Sequence, residues 1–316
     1  MLHIDDVRRM GKHVVLVTGG AGHIGSHVVE ILAGDPDNHV ISLDNYSNGA
    51  TENHVPGAEY RRGHTRDVDT LVPERVDVVY HLGEYARIAT SFEDVRIVAE
   101  SNLVGTFAVA EFCRQRKVSK LVYAASSTKF ACEGDGRHQS PYAFTKATNV
   151  DLINGYGRWF RLPYVICYFY NAFGPRERGD GKYATVIARF ERMYLRGERL
   201  TVVGPGTQKR AFTYVRDLAR GIILAGEKGR GDGYALGTTR SHSILDIASA
   251  FGGPFSVVEG DPGRTASTLD PTKARTELGW APTVDIIDYI RAFVRSHPRP
   301  AARPGSDSAV ECPAGV

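Results

Sequence analysis

A short strand that leads into a glycine-rich turn constrains this chain more than any other segment. The apolar run 14–18 is followed at once by Gly19, Gly22 and Gly25, and a helical pattern begins at Ile24. A side chain at Gly19 would obstruct a tight turn, one at Gly22 would block the approach of a phosphate, and one at Gly25 would separate the helix from the strand. The N–H groups of a helix N-terminus then face the anion. The segment predicts a pyrophosphate site, although three glycines alone also suit an ordinary loop.

An acidic residue follows the second apolar run at a favourable distance. Residues 39–43 lead to Asp44, about 20 residues beyond the glycine turn. A carboxylate at this place accepts hydrogen bonds from a ribose 2′-hydroxyl and repels a 2′-phosphate. We therefore expect NAD, rather than NADP, as the cofactor.

The length and the net charge of the chain indicate which classes of protein it can belong to. The chain has 316 residues, enough for one large α/β unit, and its net charge of +3 comes from 39 basic and 36 acidic residues. This near balance favours neither a nucleic-acid-binding nor a membrane-binding surface. No run has the length of a signal peptide core or a membrane span, so we expect a cytoplasmic protein. The cysteines form no C-x-x-C pair, which argues against a disulfide framework and against a metal site.

Strand-like and helical patterns alternate along the chain. Apolar runs occupy 14–18, 40–44, 76–82, 120–125 and 163–169, with helical patterns at 24–32, 100–116 and 142–160. Such alternation predicts an α/β fold with a doubly wound parallel sheet. We expect a cofactor-binding domain over 1–172, to which the chain returns at about 208–240. A smaller, interleaved C-terminal substrate-binding part would comprise 173–207 and 241–298, with helices near 185–196 and 285–296, and 299–316 would form a disordered tail.

A tyrosine and a lysine four positions apart suggest proton transfer. Tyr142 and Lys146 share one face at the start of a predicted helix, where an ammonium group close to a phenol favours the phenolate, a general base. The strand before them ends in Ser126 and Ser127, at the edge of the sheet where ligands bind. With 15 tyrosines in the chain, such a pair also arises by accident, and the serines also suit a turn.

These motifs, in this order, resemble those of one family: the extended short-chain dehydrogenase/reductases of the nucleotide-sugar epimerase/dehydratase group. The matching segments are 18–25 (TGGAGHIG), 43–45 (LDN), 80–83 (YHLG), 102–106 (NLVGT), 126–127 (SS), Tyr142 with Lys146, 171–176 (NAFGPR), 210–217 (RAFTYVRD) and 278–280 (LGW). The resemblance implies a Rossmann fold, tightly held NAD and a nucleoside diphosphate sugar as substrate. It also implies a homodimer formed by the helices at 100–116 and 142–160.

The resemblance also assigns roles to single residues. Tyr142 would take a proton from a sugar hydroxyl, Lys146 would hold the nicotinamide ribose, and Ser127 would bind the reacting oxygen. Arg210 and Arg264 would clamp the diphosphate, a task that suits guanidinium groups. The implied cofactor contacts are Gly19, Gly22, His23, Ile24, Gly25, Asp44, Asn45, Leu82, Asn102, Tyr142 and Lys146. The implied substrate contacts are Ser127, Thr128, Lys129, Glu84, Asn171, Arg210 and Arg264.

The chain departs from the family pattern at several positions. Thr128 and Lys129 stand where 4,6-dehydratases carry an Asp-Glu pair, so the usual residues for water elimination are missing. A 4-epimerase needs no such pair, because a transient 4-keto sugar can turn over and take hydride back from NADH on its other face. Glu84 stands at a normally small position, and Ala131 and Cys132 replace Tyr-Gly. We therefore expect an NAD-dependent nucleoside-diphosphate-sugar 4-epimerase.

Two alternatives stay open. Lys129, Cys132 or Glu84 could move a proton at a carbon near the 4-keto group, which would make the protein a 3,5-epimerase or an atypical dehydratase. Alternatively, the departures at Thr128, Ala131 and His64, which replaces the aspartate that commonly touches adenine, would fit a non-catalytic NAD(H)-binding regulator.

Overall fold

A seven-stranded parallel sheet forms the centre of the protein. The structure, a computed structural model, describes residues 11–130, 136–169, 171–260 and 270–300. Its strands are β1 (His13–Thr18), β2 (Asn38–Asp44), β3 (Ala58–Arg62), β4 (Val78–His81), β5 (Lys120–Ser126), β6 (Tyr164–Phe169), β7 (Asn171–Phe173), β8 (Leu200–Val203), β9 (Lys209–Tyr214), β10 (Gly231–Leu236), β11 (Ser241–Ser243) and β12 (Phe255–Val258). The central sheet has the order β10-β6-β5-β4-β1-β2-β3, and all of its neighbours pair in parallel.

The helices connect and cover these strands. They are α1 (His23–Ala33), α2 (Val68–Leu71), α3 (Val95–Val98), α4 (Gly105–Gln115), α5 (Pro141–Phe160), α6 (Val186–Leu195), α7 (Val215–Lys228), α8 (Ile244–Ala250), α9 (Thr272–Leu278) and α10 (Ile286–Ser296). A π-helical segment, Ala99–Val104, joins α3 to α4. Short 3₁₀ helices lie at Thr51–Asn53, Thr65–Asp67, Ala89–Phe92, Ser127–Phe130 and Gly136–Gln139. None of the described helices combines the length and the apolar composition that a membrane span requires.

Both faces of the central sheet are buried under helices. On one face, side chains of α4 and α5, such as Phe112 and Ile153, pack against the strands. On the other face, α1 and α7 contribute Val28 and Ile222, and Trp280 closes the layer by donating its indole N–H to the Asp217 carbonyl at 2.8 Å. Coverage on both sides explains why the strands are almost continuously apolar. The predicted doubly wound α/β fold is confirmed.

Two strands of this sheet lack the apolar pattern that predicted the other five. The edge strand β3 reads Ala-Glu-Tyr-Arg-Arg and keeps its residues partly exposed, and β10 begins with Gly231, Asp232 and Gly233. Edge position and glycine content remove the apolar signal in each case. The helix predicted over 100–116 also begins earlier, because Val95–Val98 and the π segment extend it.

The strands that follow β6 in the chain, apart from β10, form two small sheets. Strands β7, β9 and β11 form a three-stranded sheet, and β8 pairs with β12 in parallel. Their core joins Phe173, Phe190, Ile247 and Ile290, which brings α6, α8 and α10 together. The predicted tail lies, from residue 301 onward, outside the described residues.

Candidate active site

A cavity of about 930 Å³ opens at the carboxyl ends of the parallel strands. This edge of an open α/β sheet is where ligands bind. Most of the residues that the sequence predicted for the site line this cavity, namely Gly19, Gly22, His23, Ile24, Gly25, Asp44, Asn45, Leu82, Glu84, Ser127, Thr128, Tyr142, Lys146, Asn171 and Arg210. The fold thus brings the glycine turn, the pair Tyr142 and Lys146, and Arg210 of β9 to one cavity.

The glycine turn has the shape that a pyrophosphate needs. Gly19 adopts a φ of +72°, and a Cβ placed there would lie 2.8 Å from the Cα of Gly83. A Cβ on Gly25 would lie 2.0 Å from the Gly19 carbonyl oxygen. Helix α1 has Gly22 as its N-cap, with no side-chain cap and no acidic residue in its first turn. Its positive end therefore faces the cavity with no acidic residue in its own first turn, which fits a dinucleotide.

Asp44 closes the cofactor end of the cavity. One carboxylate oxygen accepts the Ala21 N–H at 3.0 Å, and the other accepts the Tyr46 N–H at 2.8 Å. Burial raises the pKa of the Asp44 carboxyl, while these two backbone hydrogen bonds act in the opposite direction. The carboxylate joins the glycine turn to the end of β2, at the place that suits a ribose diol and disfavours a phosphate.

The predicted proton-transfer residues lie together at the other end. Helix α5 starts at Pro141, and the hydroxyl of its N-cap Ser140 accepts the Ala143 N–H at 3.0 Å. This cap sets the helix start so that Tyr142 and Lys146 both face the cavity. The Lys146 ammonium donates to the Ala124 carbonyl of β5 at 2.6 Å, and Ser127 follows the end of that strand.

Glu84 lies directly against the lysine instead of in open space. Its carboxylate accepts a hydrogen bond from Lys146 Nζ, and the two side chains are 1% and 7% exposed. The sequence placed Glu84 among the substrate contacts; the structure gives its carboxylate a protein partner at the base of the site.

Two further predicted residues, Asn102 and Lys129, do not line the cavity. The Asn102 amide is fully buried and donates to the Tyr85 carbonyl and to Thr145, while its oxygen accepts the Tyr85 N–H at 2.7 Å. It therefore fixes the loop after β4 against α5. Lys129 points its ammonium toward the Phe130 ring, at 5.9 Å from the ring centroid. Arg264 lies outside the described residues, as does Cys132.

The substrate end contains charged residues that no sequence motif indicated. Arg87 donates from Nε and Nη2 to the Tyr183 carbonyl, at 3.0 and 2.6 Å. Glu177 lies near Thr185, yet its buried oxygens make no hydrogen bond of good geometry with described residues, and burial raises the pKa of this carboxyl to about 8. Arg189 on α6 lines the cavity, and its side chain makes no hydrogen bond or ion pair with another described residue.

The His23 imidazole, at the start of α1, is a further polar group on the cavity. Its Nε2 atom is buried and has no hydrogen-bond partner among the described residues. Burial, with smaller contributions from His27 and Arg87, lowers the pKa of His23 to about 3, so the ring is neutral at physiological pH. The sequence indicated His23 only through its backbone position in the glycine turn. His23, Arg87, Glu177 and Arg189 line one cavity from separate segments of the chain, so no local sequence pattern indicates them as a group.

Comparison with known proteins shows the family of this chain. The model of the NAD dependent epimerase/dehydratase family matches residues 15–237, which is more than half of the chain. A UDP-glucose 4-epimerase of Mycolicibacterium smegmatis is 30% identical over 306 residues, covering 88% of this chain and 96% of that protein. A UDP-N-acetyl-alpha-D-glucosaminuronate decarboxylase of Bacillus cytotoxicus is 33% identical over 259 residues, covering 75% and 78%.

A solved structure has the same fold and contains the predicted cofactor. The UDP-glucose 4-epimerase of Thermus thermophilus, in complex with NAD, superimposes with a TM-score of 0.79 at 32% identity, covering 89% of this chain and 98% of that one. The relatives differ in reaction, since a decarboxylase stands beside the epimerases. The family description and the Thermus thermophilus structure both name NAD, so the predicted use of NAD is confirmed. The chain belongs to the NAD dependent epimerase/dehydratase family.

Proposed function

We propose that this protein is an NAD-dependent nucleoside-diphosphate-sugar 4-epimerase. The observation that carries the proposal is the joint position of Tyr142, Lys146 and Ser127 on one cavity with a dinucleotide-shaped glycine turn. No carboxylate follows Ser127, where a dehydratase would carry its acid and base; Thr128 and Lys129 stand there. A 4-epimerase requires only one proton acceptor beside the reacting hydroxyl.

Each site residue would have its own role in the reaction. Tyr142 takes the proton of the sugar 4-hydroxyl as general base, and Ser127 donates a hydrogen bond to the same oxygen. Lys146 holds the cofactor ribose and stabilises the phenolate. Bound NAD supplies a reversible hydride acceptor for the sugar carbon. Arg210 and Arg189 line the cavity where guanidinium groups could hold a diphosphate, and the predicted Arg264 would join them.

Turnover without added cofactor is the first test. Mass spectrometry identifies nucleotides released from the purified protein, and NMR in deuterated water follows a panel of nucleotide hexoses and uronic acids. We expect inversion at C4 without solvent deuterium on carbon, since the same hydride returns. A stoichiometric demand for NADH would indicate a ketoreductase, and a cofactor that never changes redox state would indicate a binding protein.

A variant pair tests the general base. Tyr142→Phe should lower kcat by at least ~100-fold, because general-base catalysis contributes about 10²–10⁴. Tyr164→Phe is the matched control, since the Tyr164 hydroxyl donates to Asn154 at 2.7 Å and lies outside the cavity. A near-normal rate for Tyr142→Phe would remove this tyrosine from the mechanism.

A second reaction class is favoured by one observation. Glu177 places a carboxyl group with a pKa of about 8 on the cavity, so it is protonated at neutral pH and can act as a general acid. An atypical dehydratase or a 3,5-epimerase needs such a group near the 4-keto sugar. Deuterium incorporation at a ring carbon, abolished by Glu177→Gln, would favour this class over simple 4-epimerisation.

We also propose a homodimer that uses α4 and α5. Their outer faces expose Phe107, Trp159 and Phe160, and Trp159 is 67% exposed. Tyr156 connects these rings into one patch, with centroid distances of 6.3 Å to Phe107 and 6.2 Å to Trp159. A contiguous aromatic patch of this kind suits a second copy of the same helices.

The division into domains and the cellular location are also part of this proposal. Arg189 on α6, within 173–207, lines the cavity from outside the seven-stranded sheet. This position supports a substrate-binding part over 173–207 and 241–298, next to a cofactor-binding domain over 1–172 and 208–240. We propose a cytoplasmic location for the enzyme.

A further inference from the structure

The Glu84 carboxylate is the centre of a buried network below the site. Lys146 donates to Oε2, while Oε1 accepts from Asn149 at 2.7 Å, from Thr106 at 3.0 Å and from Tyr123 at 3.1 Å. These partners donate to the carboxylate. A protonated carboxyl would need an acceptor for its own hydrogen, so this environment holds Glu84 as an anion.

A chain of hydrogen bonds extends this network to the glycine turn. The Gly83 N–H donates to Thr18 Oγ1 at 3.0 Å, Thr18 Oγ1 lies 2.7 Å from His81 Nδ1, and His81 Nε2 lies 2.9 Å from Thr106 Oγ1. Because Thr106 gives its proton to Glu84, His81 donates from Nε2 and accepts from Thr18 at Nδ1. Burial lowers the pKa of His81 to about 4, so the ring is neutral, as this order requires.

The network leaves one N–H bond of the Lys146 ammonium group without a partner in it. An ammonium group has three N–H bonds, and here one points to Glu84 and one to the Ala124 carbonyl. Lys146 itself lines the cavity. The third N–H is therefore the one that can reach a ligand in the chamber that contains Tyr142.

We propose that Glu84 is a positioning residue that aims Lys146 at the cofactor and balances its charge. This inference rests on the proposed function and goes beyond it, because it adds a carboxylate at a position where the resemblance implies a small residue. By balancing the ammonium charge, Glu84 also counteracts the attraction of Lys146 for negative charge on the Tyr142 oxygen. The other titratable groups that face the pair among the described residues are His81 on β4 and Tyr123 on β5.

Two variants separate the effect of the Glu84 charge from the effect of its side-chain length. Glu84→Gln keeps the length of the side chain and removes its charge, so we expect the affinity for NAD to fall about tenfold. The acidic limb of the kcat profile should move about one pH unit lower, because an anion that opposed the phenolate is gone. Glu84→Asp keeps the charge and is one methylene shorter. It should also weaken NAD binding, but leave the acidic limb within about 0.3 pH unit of the wild-type position.

A matched control removes a carboxylate elsewhere. Glu74 pairs with Arg61 at 2.6 Å, is partly buried and lies outside the cavity. Glu74→Gln should change neither NAD affinity nor the pH profile. If Glu84→Gln behaves like this control, Glu84 only fills space and the inference is wrong.

A double-mutant cycle gives a readout that needs no turnover. We expect Glu84→Gln to have no effect on NAD affinity, measured by calorimetry, once Lys146→Gln is present, because Glu84 acts through that lysine. The double variant leaves neither member of this pair as an unpaired buried charge. Full additivity of the two effects would overturn the inference. Absence of epimerase activity in the wild type would instead reject the proposed function while leaving this cycle interpretable.

Discussion

Replacing Gly25 by alanine tests the packing of the glycine turn against its helix. The residue lies inside α1, where alanine is favoured over glycine by about 1 kcal/mol of intrinsic helix propensity. However, the new Cβ would lie 2.0 Å from the Gly19 carbonyl oxygen and 2.8 Å from the Gly19 carbonyl carbon. Both atoms belong to the backbone of the turn, so the helix has to move by about 1 Å, and such overpacking costs about 1–3 kcal/mol or more.

The clash should exceed the gain in helix propensity. We expect a net loss of about 2 kcal/mol in the free energy of unfolding, which lowers the Tm of a protein of this size by roughly 3 °C. The measurement is thermal unfolding of protein stripped of nucleotide, followed by circular dichroism. NAD should also bind weakly, because the N-terminus of α1 no longer faces the turn.

Gly22→Ala is the matched control for this experiment. Its Cβ would meet only the Gly19 carbonyl oxygen, at 3.2 Å, and Gly22 has an ordinary φ of −79°. This variant should unfold within about 0.5 kcal/mol of the wild type. It should still bind NAD at least ~10-fold more weakly, since the methyl group occupies the approach to the phosphate. A nucleotide-free Gly25→Ala protein with a Tm equal to or above that of the wild type would refute the packing argument.

Three further predictions concern the cofactor, pH and assembly. Asp44→Ala should weaken NAD binding by about 10–100-fold in calorimetry, because charge-assisted hydrogen bonds to the ribose are lost; unchanged affinity would exclude Asp44 from the site. The raised pKa of Glu177, about 8 against an ordinary 4.5, means that the folded protein retains a proton that the unfolded chain releases. Stability should therefore fall as the pH rises from about 4.5 to about 8, and Glu177→Gln should flatten the dependence of Tm on pH; an unchanged slope would contradict the burial of an acid there. Phe107→Glu combined with Trp159→Glu should convert a dimer into monomers in sedimentation or light scattering, whereas a wild-type monomer would reject the proposed interface.

Local patterns were sufficient for much of the fold. The runs that became β1, β2, β4, β5 and β6 are apolar because both faces of their sheet are covered, and this coverage is visible in each strand by itself. The glycine turn is similarly local, since its conformation depends on residues within one strand–turn–helix unit. Strand β3 lacked such a signal, because an edge strand with partly exposed side chains resembles a loop in composition.

The sequence by itself determined the doubly wound fold, the cofactor and the shared face of Tyr142 and Lys146, because backbone periodicity and glycine spacing are properties of neighbouring residues. Only the tertiary structure decided what surrounds that face. Glu84 reaches Lys146 from 62 positions away, and Arg87 bonds to the Tyr183 carbonyl from 96 positions away. Contacts of this kind depend on how strands are ordered in the sheet and where the connecting loops end, and no local pattern encodes that arrangement. The charge balance of the site is therefore a property of the folded chain.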